Sequence, residues 1–286
     1  MDQKIITLFD TYTHGGMSRR AFLDKLTLMA GSAAAASALL PVLENNYAQA
    51  AMVAENDPRL VITEGEIAPG IKGLLAIPKD AAGKLPAVLV IHENRGLNPH
   101  IKDVTRRMAL EGFVAFGADY LAPAGGTSGD EEKAREMIGT LKPEDITAYS
   151  QGALKALIAH PHGTGKAGAM GFCWGGGAVN ALAVAEPSLA AGVAYYGRQA
   201  AAADVPKITA PLMLHYASLD ERINAGIAEY EAALKAANKT YELHMYEGAN
   251  HAFNNDTNAA RYNKDAADLA WGRTVAFLKK HAGGMA

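Results

Sequence analysis

The sequence predicts an α/β fold in which a mostly parallel sheet is covered by helices on both faces. Two observations carry this expectation. Short unbroken apolar runs, of which residues 87–91 (Ala-Val-Leu-Val-Ile) are the clearest, suit strands buried on both faces. Between such runs lie stretches whose apolar residues recur at helical spacing, as at Ile101, Val104, Met108 and Leu110. Repeated strand-helix alternation builds one domain, and ligands in such sheets sit at the carboxyl ends of the strands.

Residues 1–50 stand apart. A polar lead is followed by Ser18-Arg19-Arg20-Ala21-Phe22-Leu23, a mildly apolar, alanine-rich run over residues 26–43, and Ala48-Gln49-Ala50 with small residues at both outer positions. Together these features resemble a twin-arginine export signal cleaved after Ala50, which implies the twin-arginine translocation machinery as a partner and a periplasmic or secreted product. The competing reading is a retained amphipathic helix with Arg19 and Arg20 on a solvated face, in a chain that stays cytoplasmic. The apolar run comes near the ~20 residues a membrane span needs but is interrupted by polar and tiny residues, so no stable span is expected. Residues 51–58 then read as a linker and residues 59–286 as the folded domain.

Within that domain, residues 60–62 and 71–77 read as antiparallel lead strands divided by Pro69-Gly70. Further strands are expected at 87–91, 113–118, 166–172, 190–196, 211–216 and 241–246. Helices are expected at 98–111, 131–141, 144–159, 175–185, 227–237 and from near 263 to 280. A formal net charge of −3 without a long basic run argues against nucleic acid as the main partner, because neutralising phosphates needs clustered Lys and Arg. A single cysteine rules out an intramolecular disulfide, and no C-x-x-C pair, H-E-x-x-H motif or carboxylate cluster points to a metal.

That cysteine stands in Gly171-Phe172-Cys173-Trp174-Gly175-Gly176-Gly177, between an expected strand and an expected helix. Glycines two residues before and two after a nucleophile mark an elbow, a turn too sharp for flanking side chains that lifts the reactive atom above the sheet. The same turn aims backbone N–H groups, here that of Trp174, at the place where an oxyanion develops. A buried inert thiol is the bland alternative. The strand ends supply partners in the chain order of an α/β-hydrolase: Cys173, then Asp220 after residues 214–219, then His251 in Gly248-Ala249-Asn250-His251-Ala252-Phe253. Asp220 could instead be a helix N-cap.

Three stretches are similar to the dienelactone hydrolase family: Val90-Ile91-His92-Glu93-Asn94-Arg95-Gly96-Leu97, the Cys173 elbow, and the His251 loop. The resemblance spans most of residues 59–286. It implies an α/β-hydrolase fold and a Cys-His-Asp triad acting on small esters or lactones, with no metal or organic cofactor. It further implies Asn94 as a second oxyanion donor and Glu93 as the partner of the resting thiol, although Glu93 could simply pair with Arg95. The family arginine that holds a substrate carboxylate after Asp-Leu-Tyr-Ala is absent, since this chain reads Asp119-Tyr120-Leu121-Ala122-Pro123. Arg198 and Arg261 are candidate replacements, and Arg95, Tyr120 and Tyr196 are further candidate substrate contacts. Two other functions use the same residues: a binding or thiol-oxidation sensor on this fold, and an acyltransferase or peptidase with the same triad.

Overall fold

The chain is described by a computed structural model covering residues 1–47 and 51–283. The proposed cleavage point at Ala48-Gln49-Ala50 lies outside the described residues.

The unbroken apolar runs become the centre of an eight-stranded sheet. Its strands are β1 (Leu60–Ala68), β2 (Ile71–Pro78), β3 (Leu85–Ile91), β4 (Val114–Ala118), β5 (Gly163–Phe172), β6 (Gly192–Tyr195), β7 (Leu212–Ala217) and β8 (Tyr241–Tyr246), in the order β1-β2-β4-β3-β5-β6-β7-β8. The lead strands β1 and β2 pair antiparallel, as does β2 with β4, and every pairing from β4 onward is parallel. Successive side chains of β3 serve two cores. Val88 and Val90 face α4 (Pro99–Leu110) and α10 (Lys264–Ala282), whereas Leu89 and Ile91 face α6 (Pro143–Ile158) and α7 (Trp174–Ala185). Helices α5 (Glu131–Gly139), α8 (Glu221–Asn224) and α9 (Ile227–Ala236) complete the covering layers. Of these, only the four-residue α8 was not expected, being too short to show a period.

Residues 1–43 form three further helices, α1 (Gln3–Thr13), α2 (Arg19–Ala30) and α3 (Ala33–Leu43). Ser18 caps α2 by accepting the Ala21 N–H, and Ser32 caps α3 by accepting the Ala35 N–H. Gly31, at φ 81°, turns the chain between them in the left-handed region that glycine tolerates. Ile5, Phe9, Tyr12, Phe22, Leu26, Ala36 and Leu43 bury against one another over the strand ends. Among the described residues no single helix is long and apolar enough to cross a membrane; α2 and α3 together meet that test only as a pair bent by 113°.

Candidate active site

The elbow is imposed by sterics. A Cβ on Gly171 would stand 2.2 Å from the Gly175 carbonyl oxygen, and one on Gly175 would stand 2.4 Å from that of His92. Only glycines let the end of β5 approach α7, and α7 approach the end of β3, this closely. Cys173 itself takes φ 55° and ψ −112°, a strained conformation for a residue with a side chain and one that recurs at functional turns. Its sulfur is thereby held at the carboxyl edge of the sheet, with the residue 8% exposed.

His251 lies in the loop after β8, and its Nδ1 is 2.5 Å from Asp220 Oδ2, which follows β7. Asp220 also accepts the Ile223 N–H through Oδ1, so the carboxylate both orients the imidazole and caps α8. Backbone bonds from Ser218 N to Tyr246 O and from Leu219 N to Ala249 O tie the two loops together. His251 Nε2 is buried and has no hydrogen-bond partner among the described residues. Burial disfavours the His251 cation, but the Asp220, Asp10 and Cys173 charges outweigh it and push the imidazole well above its ordinary value. Burial likewise raises the thiol, and His251 followed by His14 pulls it down to about 6. These opposing charges favour a thiolate beside imidazolium over the neutral pair.

The sulfur's nearest polar contact comes from the N-terminal segment. His14 Nε2 lies 3.2 Å from Cys173 Sγ, and His14 Nδ1 lies 2.8 Å from the Asp10 carbonyl oxygen and 3.3 Å from Asp10 Oδ1. Against the cost of burial, the thiolate and Asp10 hold the His14 cation, whose pKa is raised. Asp10 in turn lies 3.7 Å from Arg261 Nη1 and 3.7 Å from Arg222 Nε. Burial opposes its charge, but His251, His14 and Arg261 hold the carboxyl far below the usual range. The sulfur and one ring nitrogen from each of His14 and His251 lie within 4.8 Å of one another. A tetrahedral zinc needs ligand atoms ~3.5 Å apart, so this looser set fits hydrogen-bonded residues better than a formed metal site. Neither His14 nor Asp10 was expected from the sequence. The one signal was their spacing, since residues four apart share a helix face.

The remaining expected residues divide. Trp174 begins α7, and among the described residues no carbonyl takes the N–H of Trp174 or of Asn94. The Asn94 side chain donates to the Thr13 carbonyl at 2.8 Å. Glu93 is buried, and its Oε1 has no hydrogen-bond partner among the described residues. Asn255 donates to its Oε2 at 2.8 Å, and the hydrogen bond to the sulfur comes from His14. Glu93 and Arg95 form no ion pair among the described residues, and Arg95 Nε lies 2.8 Å from Glu131.

Tyr120 is core, with its hydroxyl 2.7 Å from Ser150 Oγ, and its ring meets that of Trp174 edge-on. Tyr196 sits at φ 38° with its ring 5.0 Å from His251. Arg261 is buried, and its Nε and Nη2 have no hydrogen-bond partner among the described residues. With Asp220, His251, Asp10 and Arg222 it lines a cavity of about 490 Å³, while Arg95, Tyr12, Thr13 and Glu131 line another of about 290 Å³. Arg198 is exposed beside Gly177 and lines neither; Cys173 lines neither as well.

Residues 71–282 match the model of the dienelactone hydrolase family, and residues 1–31 match a separate model described as YqhI-like. The chain is 34% identical to "Putative carboxymethylenebutenolidase" of Saccharolobus solfataricus over 73% of its own length and 94% of that protein. It is 32% identical to "Probable 2-oxo-3-(5-oxofuran-2-ylidene)propanoate lactonase" of a Bradyrhizobium species, covering 70% and 85% of the two chains. Among solved structures, a dienelactone hydrolase described as putative, from Klebsiella pneumoniae, superposes with a TM-score of 0.71 at 28% identity. In that match 77% of this chain covers 99% of the other, so the shared fold is complete without roughly a quarter of this chain.

Proposed function

The chain belongs to the dienelactone hydrolase family and is a hydrolase, and from that premise we propose that it cleaves small esters or lactones through a Cys173-His251-Asp220 triad. The observation that carries the reading is the 2.5 Å Asp220-His251 contact beside a thiol pulled down to about 6. The thiolate attacks the acyl carbon, forming the carbon–sulfur bond as the carbonyl electrons move to oxygen. The Trp174 and Asn94 N–H groups receive that oxyanion, at roughly 3 kcal/mol of transition-state stabilisation per donor. Collapse expels the alkoxide, which takes a proton from His251 and leaves a thioester; in a lactone the alcohol stays tethered to the acyl group. His251, now neutral, takes a proton from water, and hydroxide attack on the thioester expels the thiolate and releases the carboxylic acid, which gives its proton to solvent.

Pro123, exposed in the turn after β4, cannot hold a substrate carboxylate as the family arginine does. Arg261, on the wall of the cavity beside His251, is the cation that supports such a role here. We also propose export by the twin-arginine route, on the Ser-Arg-Arg-x-Phe-Leu pattern and the alanine-rich run. Incubating the protein with a panel of aryl esters and lactones, beside Cys173→Ala and His251→Ala, tests the triad. Equal rates in all three proteins would remove it. Sequencing the N-terminus of protein recovered from the periplasm tests export: a start at Ala51 supports it, and intact Met1 confined to the cytoplasm opposes it.

A further inference from the structure

We propose that residues 1–43 are a built-in inhibitor of this hydrolase, with His14 filling the place the substrate's reacting carbonyl must take. Turnover then requires the segment to leave the strand ends. The inference rests on Cys173 being the nucleophile.

The acyl carbon must approach the sulfur to ~3–3.5 Å before attack. His14 Nε2 already stands 3.2 Å from Sγ, and its ring meets that of His251 edge-on with centroids 4.7 Å apart. The imidazole therefore packs against both nucleophile and base, on the side from which the sulfur would be approached. Its neighbours close the approach: Thr13 offers its carbonyl to Asn94, and Asp10 stands between His14 and the Arg261 and Arg222 guanidinium groups. Cys173 is in the wall of neither cavity, although His251 lines one and Thr13, which accepts from Asn94, lines the other.

The segment is also built to come away. Its buried apolar residues, Ile5 to Leu43, pack on one another, and Ala260 is the single residue beyond them in that cluster. Contacts with the domain include many polar and ionic ones: Gln3 to Asn250, Asn258 to the Leu43 carbonyl, Arg19 to Glu132, and the Arg261 and Arg135 guanidinium groups over the Phe9 and Tyr12 rings. Release therefore hydrates polar groups without opening either sheet core, the pattern of a separable unit. The dienelactone hydrolase fold shared with the Klebsiella protein does not need it.

The test uses the full chain and two variants, His14→Ala, which empties the position on the sulfur, and Phe22→Asp, which disrupts the segment's own core but leaves His14 in the chain. Iodoacetamide alkylation of Cys173 is timed at about pH 9, where the thiol ionises with or without a neighbouring cation. Both variants are expected to accelerate alkylation by about tenfold or more, the inverse of the fraction of molecules with the site open. Phe22→Asp is expected to raise p-nitrophenyl acetate hydrolysis in step, with an unchanged main urea-unfolding transition showing the domain folded. Unchanged alkylation in both variants overturns the proposal. So does slower hydrolysis by His14→Ala at unchanged alkylation, which makes His14 a catalytic group. Hydrolysis that survives Cys173→Ala removes the nucleophile reading instead, while the alkylation rates still report whether the segment covers the thiol.

Discussion

Two carboxylate-imidazole pairs converge on one sulfur from different parts of the molecule, and they are held in different ways. Asp220-His251 sits on loops after adjacent strands, joined by backbone hydrogen bonds, with side chains 1% and 4% exposed. Asp10-His14 sits on one face of α1, with side chains 16% and 15% exposed, on a segment that touches the domain through polar contacts. The drier pair is positioned by the sheet and cannot leave without unfolding it. The wetter pair is positioned by a small separate core, so its engagement is an equilibrium that can be shifted.

The largest effect that separates the pairs is on turnover. Cys173→Ala or His251→Ala should lower kcat by about 10⁴-fold or more, the scale set by losing a nucleophile or its base. Asp220→Asn should cost roughly 10³- to 10⁴-fold because the imidazole loses its orienting carboxylate. Asp10→Asn, measured in the same ester assay, should cost nothing and should raise the rate if it loosens the segment. A fall with Asp10→Asn comparable to that with Asp220→Asn would erase the distinction between the pairs.

A smaller effect is expected on stability. Gly171→Ala and Gly175→Ala drive a methyl group into backbone carbonyls that the sheet and α7 hold in place. Each should lower the unfolding free energy in urea by about 1–3 kcal/mol. Phe22→Asp should leave the main transition of the domain in place.

The smallest effect is a displaced titration. In the full chain the rate of Cys173 alkylation should rise with a midpoint of about 6, since the thiolate is lost as pH falls through that value. His251→Ala and His14→Ala should each move the midpoint up toward the ordinary thiol range, and His251→Ala the further, because its charge is the larger opposing influence. The sign for stability follows. A thiol depressed in the folded state contributes stability that is present above its unfolded value and lost as pH falls through about 6.

Much of the domain was open to sequence reading because it depends on local rules. Unbroken apolar runs marked the central strands, glycine spacing marked the elbow, and the strand-end rule brought Asp220 and His251 forward. Pairwise choices among polar side chains were not open in the same way. Glu93 had several possible partners, and Asn255, which is far away in sequence, is the one that reaches it. Arg198 and Arg261 looked alike as candidate cations, and only the path of the chain put one inside a cavity wall and the other on the surface.

Residues 1–43 show the limit most clearly. Twin arginines before Phe-Leu and an alanine-rich run have the composition of an export leader, and the same residues make the Ser18 cap and the buried Phe22 and Leu26 of a helical segment. By itself the sequence determined the sheet, the elbow and the chemistry one sulfur can perform, because each follows from spacing along the chain. The tertiary structure decided what stands on that sulfur. His14 and Cys173 are 159 residues apart, and no periodicity, motif or composition carries a contact made only when two separately packed cores meet.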